Sequence, residues 1–258
     1  MNKLFHLWRI LATGLSFSLF GLGGLFLRFA VFPTIRLLVW NREKSIQYSR
    51  QAVRYSFLGF IHMVQAFGVF RFEIKGKERL NRKGLLIVAN HPSLIDIVFL
   101  IAFVKHATCI VKSGLLNNIF TNGPIRAAGY IGNDDAEELV SDCAKALKEG
   151  SNLIIFPEGT RTRKDGVIRT HRGAAHIALR SQCNITPVLI RCEPRMLTKN
   201  TQWWKIPEAP SLFTIDVQND IIISSYTERP DPLALLARHL NHDIEVYFNE
   251  EIQKNAPA

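Results

Sequence analysis

Cysteine is scarce: four in 258 residues, at 109, 143, 183 and 192. They lie far apart and mostly in apolar runs, which excludes a disulfide framework and reads as buried thiols of a reducing compartment. No Gly-x-Ser-x-Gly elbow is present, so the serine nucleophile of that turn is excluded. Metal-ligand spacing is missing too. His171 and His176 stand five apart with no paired cysteine or carboxylate at ligand spacing, and no metal is expected. The chain shows no internal repeat and no low-complexity linker, which suits one folded unit with an extension. Acids are outnumbered, leaving a net charge of +10. Yet the cations follow no helix-turn-helix, zinc-finger or aromatic-platform pattern, so nucleic acid is not an expected partner.

Much of the positive charge lies beside apolar segments near the amino terminus. Residues 10–27 form eighteen positions without a charge, at the lower edge of what spans a bilayer. Gly14, Gly21, Gly23 and Gly24 within them suit close helix packing. A cleaved signal peptide is disfavoured, because no clear Ala-x-Ala site follows and apolar character resumes at 29–35. A second apolar stretch covers 55–70, and Arg28, Arg36, Arg42, Lys44, Arg50 and Arg54 lie between the two against the single acid Glu43. Apolar segments flanked by cations point to an anchor of residues 1–70 on the anionic cytoplasmic leaflet, with membrane lipids as partners and residues 71–258 facing the cytoplasm. An ordinary buried helical hairpin is the rival reading.

Beyond the anchor, strand-like and helix-like segments alternate. Apolar runs at 85–89, 108–111, 152–156, 185–190, 212–217 and 221–224 read as strands. Segments 94–104, 139–147 and 173–181 read as helices. A last amphipathic helix is capped by Asp231-Pro232, with Leu233, Leu236, Leu240, Ile244, Tyr247 and Phe248 on its buried side. The expected fold is α/β: a mixed, mostly parallel sheet flanked by helices, preceded by a membrane-associated helical hairpin.

The run Leu85-Leu86-Ile87-Val88-Ala89 ends in Asn90-His91-Pro92-Ser93-Leu94-Ile95-Asp96. An imidazole at the end of a buried strand, with a carboxylate five residues on, can make a general base and the group that orients it. With no serine elbow, such a base suits a hydroxyl on the substrate. Read alone, Ser93 to Asp96 also fits a variant capping box opening the next helix. A second strand-like run, Asn152-Leu153-Ile154-Ile155-Phe156, ends in Pro157-Glu158-Gly159-Thr160-Arg161. Two polar motifs that each follow a strand can share one crevice at the carboxyl edge of an open sheet. There Gly159 allows close backbone approach, Thr160 offers a hydroxyl and Arg161 a fork for phosphate or carboxylate. A polar turn closed by a Glu158–Arg161 ion pair is the simpler alternative.

Taken together, His91-x4-Asp96 within Asn-His-Pro-Ser and the later Phe-Pro-Glu-Gly-Thr-Arg resemble the glycerolipid acyltransferases, typified by 1-acylglycerol-3-phosphate acyltransferases. The resemblance covers about residues 75 to 195 and takes in Lys112, Arg172-Gly173 and Ile185-Thr186-Pro187-Val188. It implies a membrane-bound enzyme in which His91 deprotonates an acceptor hydroxyl that attacks the thioester of acyl-CoA or acyl-carrier protein. Asp96 would hold the imidazole, and transfer would be direct, with no cofactor. Glu158, Gly159, Thr160 and Arg161 would take the acceptor's polar head, with Lys112, Arg126 and Arg172 as further candidates. A thioester or ester hydrolase on the same fold and a non-phosphate acceptor are the alternatives.

The chain departs from the family pattern in three places. The family's phosphate-binding arginine is replaced by an acid in Gly129-Tyr130-Ile131-Gly132-Asn133-Asp134-Asp135, where Arg126 could substitute. Lys112-Ser113-Gly114-Leu115 stands for the usual Lys-x-Glu-Leu, and Thr170-His171-Arg172-Gly173 lacks the usual phenylalanine. Asp134 and Asp135 also suit a cap on the next helix, with Glu137 and Glu138.

Overall fold

The computed structural model of the protein describes residues 3–111, 113–132 and 136–254. The chain opens with α1 (Lys3–Phe26), a π-helical turn (Leu27–Val31) and α2 (Phe32–Leu38), continuous as one helix, and α3 (Arg42–Ala66) returns against it. Pro33 accounts for the π turn. It lacks an N–H and crowds the carbonyl four residues back, so a wider turn before it absorbs the mismatch. The Asn41 side chain caps α3 by accepting from the Lys44 N–H at 2.9 Å. Next come β1 (Phe70–Lys75), a 3-10 turn (Lys77–Leu80), β2 (Leu86–Ala89), α4 (Asp96–Phe103), β3 (Ala107–Val111), α5 (Ser113–Leu116) and α6 (Asn122–Ala127). The remainder is β4 (Ile131–Gly132), α7 (Ala136–Lys148), β5 (Asn152–Ile155), α8 (Gly173–Ser181), β6 (Ile185–Glu193), β7 (Ser211–Val217), α9 (Ser224–Thr227) and α10 (Leu233–Lys254).

The strands form one mixed sheet in the order β1-β7-β6-β2-β5-β3-β4, parallel throughout except between β6 and β7. Alternation along each central strand divides its side chains between two cores. Ile87 and Ala89 of β2 face the hairpin and α4, whereas Leu86 and Val88 face α7, α8 and α10. In β5, Ile154 goes to the first core and Leu153 to the second. Strands buried on both faces are apolar at nearly every position, which is why β2 and, after Asn152, β5 read as unbroken runs. The expected α/β sheet flanked by helices is therefore what forms.

Several details differ from expectation. Residues 221–224 form no strand: Ile221 makes only an isolated bridge with Ile185, and Ser224 already begins α9. Leu233 is exposed at the start of α10, whose buried side is Leu236, Ala237, Leu240, Ile244 and Phe248. The second apolar stretch is shared between α3 and β1. Two of the cations expected to flank an anchor instead bond within the chain. Arg28 donates to Ile119 O at 2.8 Å, and Arg50 donates to Ala128 O and Ser151 Oγ, each at 2.8 Å. Of the four glycines expected to allow close packing, Gly24 is where backbone approaches, since a Cβ would lie 2.7 Å from Phe120 O; Gly23 faces open space. The expected cap at Asp134 and Asp135 lies outside the described residues.

The helix Lys3–Leu38 is long and apolar enough to cross a membrane, and only 22% of its apolar window is buried. Phe5, Trp8, Leu11, Leu15, Leu22, Phe26 and Phe29 line its exposed side, and Leu37, Leu38 and Trp40 are exposed at the hairpin turn.

The opposite edge of the sheet is held by a fully buried amide. Asn152 accepts from Leu85 N–H at 2.9 Å and donates to Arg82 O and Lys105 O, each at 2.9 Å, so one side chain ties the entries of β2, β3 and β5. Asn152→Ala strands these backbone groups in an apolar setting and should cost about 3 kcal/mol, seen as a Tm lower by roughly 6–12 °C. A Tm unchanged within about 2 °C would show that the amide is dispensable.

Candidate active site

The two motifs leave neighbouring parallel strands. β2 pairs with β5 through Leu86↔Leu153 and Val88↔Ile155, and with β6 on its other side through Ala89↔Val188. Three loops therefore rise from the same edge of the sheet. Asn90 ties the first of them to strand β6, because its buried side chain donates to Ile190 O at 2.8 Å and accepts from Ile190 N–H at 2.7 Å. This extends the β2–β6 ladder by one side-chain rung and sets where His91 leaves the strand.

His91 Nδ1 lies 2.8 Å from Asp96 Oδ2, and the same oxygen accepts from Ser93 N–H at 2.7 Å. Asp96 is the first residue of α4, and its bond to the Ser93 N–H closes the turn ahead of the helix, while the Ser93 Oγ has no hydrogen-bond partner among the described residues. The capping box is therefore not completed, and the carboxylate instead orients the imidazole and ties down the Ser93 backbone. The imidazole stacks on Phe156, with centroids 4.1 Å apart and planes 20° apart. Asp96 has no exposure, and its Oδ1 has no hydrogen-bond partner among the described residues. Burial pushes the Asp96 carboxyl above the usual carboxylate range, against the pull of the His91 contact and the Ser93 N–H.

The second motif braces the first. Glu158 Oε1 accepts from His91 N–H at 2.9 Å and from Thr162 Oγ at 2.8 Å, and Thr162 N–H donates to His91 O at 2.7 Å. Glu158, expected on the acceptor's polar head, is buried and turned inward to hold the His91 backbone. Burial raises its carboxyl as well, opposed by the bonds from Thr162 and His91. No ion pair joins it to Arg161, so the polar-turn alternative does not form. Arg161 Nη1 donates to Leu197 O at 2.8 Å and Thr198 O at 2.9 Å, fastening the loop after β6, and its other nitrogens make no hydrogen bond among the described residues. Gly159 has φ +62°, a left-handed conformation that favours glycine, and a Cβ there would lie 3.1 Å from His171 Cδ2, a tight approach to a side chain that can shift. Thr160 is half-buried beside it.

The other expected residues stand apart from this group. Lys112 lies outside the described residues. Arg126 is exposed on α6, which packs on the hairpin, and Arg172 is exposed at the start of α8. Among the described residues, no hydrogen bond or ion pair links either side chain to the His91 loops. Four contributors escaped the sequence reading: Asn90 as a clasp, Phe156 as the ring's support, Thr162 as the bridge from Glu158, and the carbonyls of Leu197 and Thr198. Only Thr162, four residues after Glu158, carried a readable signal.

Two cavities flank these loops. Thr13, Ser16, Phe17, Phe60, Ile95 and Leu197 help enclose an almost wholly apolar space of about 30 Å³ toward the hairpin. On the other side, Asn90, Pro92 and Thr162 open onto a larger cleft of about 360 Å³ that reaches Ile252 of α10.

The chain is similar to known proteins in sequence and in fold. The Acyltransferase family model matches residues 71–191. The 1-acyl-sn-glycerol-3-phosphate acyltransferase alpha of Ovis aries is 25% identical over 211 residues, 75% of this chain and 68% of that protein. The 1-acyl-sn-glycerol-3-phosphate acyltransferase of Helicobacter pylori is 33% identical over 112 residues, 41% of this chain and 47% of that protein, so the match spans about half its length. The crystal structure of the 1-acyl-sn-glycerophosphate acyltransferase of Thermotoga maritima shares the fold, with a TM-score of 0.71 over the whole of both chains at 20% identity. Residues 71–191 thus match the Acyltransferase family, and the chain is similar in sequence and fold to these 1-acyl-sn-glycerol-3-phosphate enzymes.

Proposed function

We propose that this chain is a membrane-bound O-acyltransferase that moves an acyl chain from a thioester, acyl-CoA or acyl-carrier protein, to a hydroxyl of a lysophospholipid-type acceptor such as 1-acylglycerol-3-phosphate. The observation that carries this reading is the His91–Asp96 contact at 2.8 Å on a ring supported by Phe156. With Nδ1 turned to the carboxylate, Nε2 is left to take the proton of the acceptor hydroxyl. The alkoxide then attacks the thioester carbonyl, the thiolate leaves, and the imidazolium returns a proton to it. Asp96 stabilises the imidazolium while it lasts. Among the described residues no serine, threonine or cysteine side chain bonds the imidazole, which supports direct transfer over an acyl-enzyme.

Gly159, Thr160 and Arg161 would meet the acceptor's polar head, with Glu158 and Thr162 holding His91 from beneath. The apolar lining on the hairpin side of the same loops, including Phe17, Phe60, Ile95 and Leu197, gives the acyl chain an apolar side on which to leave the site, though the space enclosed there in this structure is small. Residues 1–70 would serve as the anchor and 71–258 as the catalytic part. Exposed cations at the hairpin turn, Arg42 and Lys44, support a cytoplasmic placement.

Detergent-held protein given labelled acyl-CoA or acyl-carrier protein and a panel of lysolipids should form acylated lipid. His91→Ala should lower kcat by about 10³-fold or more. Release of free fatty acid without acylated lipid would replace the transferase with a hydrolase.

Asp96→Asn separates chemistry from folding. The amide keeps an oxygen for both the His91 and Ser93 bonds but cannot stabilise an imidazolium, so kcat should fall on the order of 10²–10⁴-fold. A carboxyl whose folded pKa is raised opposes folding once ionised. That penalty is absent below the ordinary carboxylate range and grows as pH rises through the folded value. The variant should therefore melt no lower than wild type at neutral pH, and any gap should close toward about pH 4. A variant that melts well below wild type at neutral pH contradicts this assignment.

A further inference from the structure

The larger cleft beside His91 gathers five cations, Arg163, Lys164, Arg191, Arg195 and Lys199, against one lining carboxylate, Glu193. Among the described residues none of the five enters an ion pair. Two of the arginines are held by backbone carbonyls and keep donors to spare. Arg195 Nη1 donates to Lys164 O at 3.1 Å, folding over Gly166, where a Cβ would lie 3.0 Å from Arg195 Nη2. Arg191 Nη2 donates to Glu251 O at 3.1 Å, and its buried Nε has no partner. Like charges converging on a concave surface raise the local potential and favour a polyanion. Guanidinium groups fixed in place suit phosphate in particular.

We propose that this cleft holds the nucleotide phosphates of coenzyme A, the carrier end of the acyl donor. The inference rests on the thioester-dependent transfer proposed above and deepens it. Position supports it, because the lining includes the residues on either side of His91, so a donor anchored here can run its thiol arm toward the imidazole. Charge supports it too. The pyrophosphate and monoester phosphate of coenzyme A carry roughly four negative charges, close to the excess of cations in the cleft. A carrier protein delivers its chain on a single phosphodiester, which would leave most of the five cations of the cleft unmatched.

The probe is adenosine 3′,5′-bisphosphate, titrated calorimetrically into the detergent-held full chain, with Arg163→Gln/Lys199→Gln beside wild type. Neither side chain makes a hydrogen bond among the described residues, and Arg195→Gln is the second variant should the double one fail to fold. Wild type should bind the probe, and the variant should bind it roughly tenfold more weakly. The KM for acyl-CoA should rise about as much, with kcat and the acceptor KM unchanged. If wild type transfers acyl chains but ignores the probe, or the variant keeps its donor KM, the cleft assignment is overturned and the acyltransferase reading stands. Charge-dependent probe binding without transfer to any acceptor would keep the cleft and remove the reading beneath it. A variant impaired only with acyl-carrier protein would overturn coenzyme A in favour of the protein carrier.

Discussion

A carboxylate with no exposure to water is the constraint around which this site is built. Stripping an ion of its hydration costs several kcal/mol unless hydrogen bonds and opposite charge replace the lost water. At Asp96 the replacements are His91 Nδ1 and Ser93 N–H, and both converge on Oδ2. The imidazole is thereby fixed in orientation at the protein's own need, before any substrate arrives. Glu158 repeats the pattern one strand over: a buried carboxylate neutralised by an N–H and a hydroxyl, with His91 again supplying the donor. One histidine serves two buried acids, one through its ring and one through its backbone, so it has little freedom to move.

Such precision needs loops that end together, and the parallel pairing of β5, β2 and β6 provides them. Because side chains alternate between faces, Ile87 and Leu86 enter opposite cores and neither strand can slip by one residue without burying the wrong set. Asn152 at one edge and Asn90 at the other close the ladder with side-chain amides where backbone pairing stops. Register set by packing is thus carried over to the positions of the polar residues.

The central strands, α8 and the two motifs were legible because each obeys a local rule: an apolar run bounded by turn residues, a 3.6-residue stripe, or a fixed spacing of polar groups. β1 was legible in principle, since Phe70-Arg71-Phe72-Glu73-Ile74-Lys75 alternates as a half-buried edge strand should, but it adjoins the apolar α3 and was absorbed into that stretch. Residues 221–224 failed for the opposite reason: a short apolar run without alternation carries no mark that separates strand from loop. Glu158 shows the limit at the site. Its motif marks it as important, but whether a carboxylate faces ligand or backbone depends on what stands across the crevice, here a loop 67 residues earlier. The same holds for Arg161, whose carbonyl partners lie 36 and 37 residues on.

The polarity of the two flanking cavities gives the site a direction. Ile95 and Leu197 belong to the apolar space that opens toward α1 and α3, while Asn90, Pro92 and Thr162, a few residues away, belong to the cationic cleft that reaches α10 on the far face of the sheet. An acyl thioester has the same asymmetry, hydrocarbon at one end and phosphates at the other. Laid across these loops with its phosphates in the cleft and its hydrocarbon leaving on the apolar side, it would bring the reacting carbonyl beside the imidazole. Orientation would then follow from desolvation and charge at the two ends, leaving His91 and Asp96 to manage one proton.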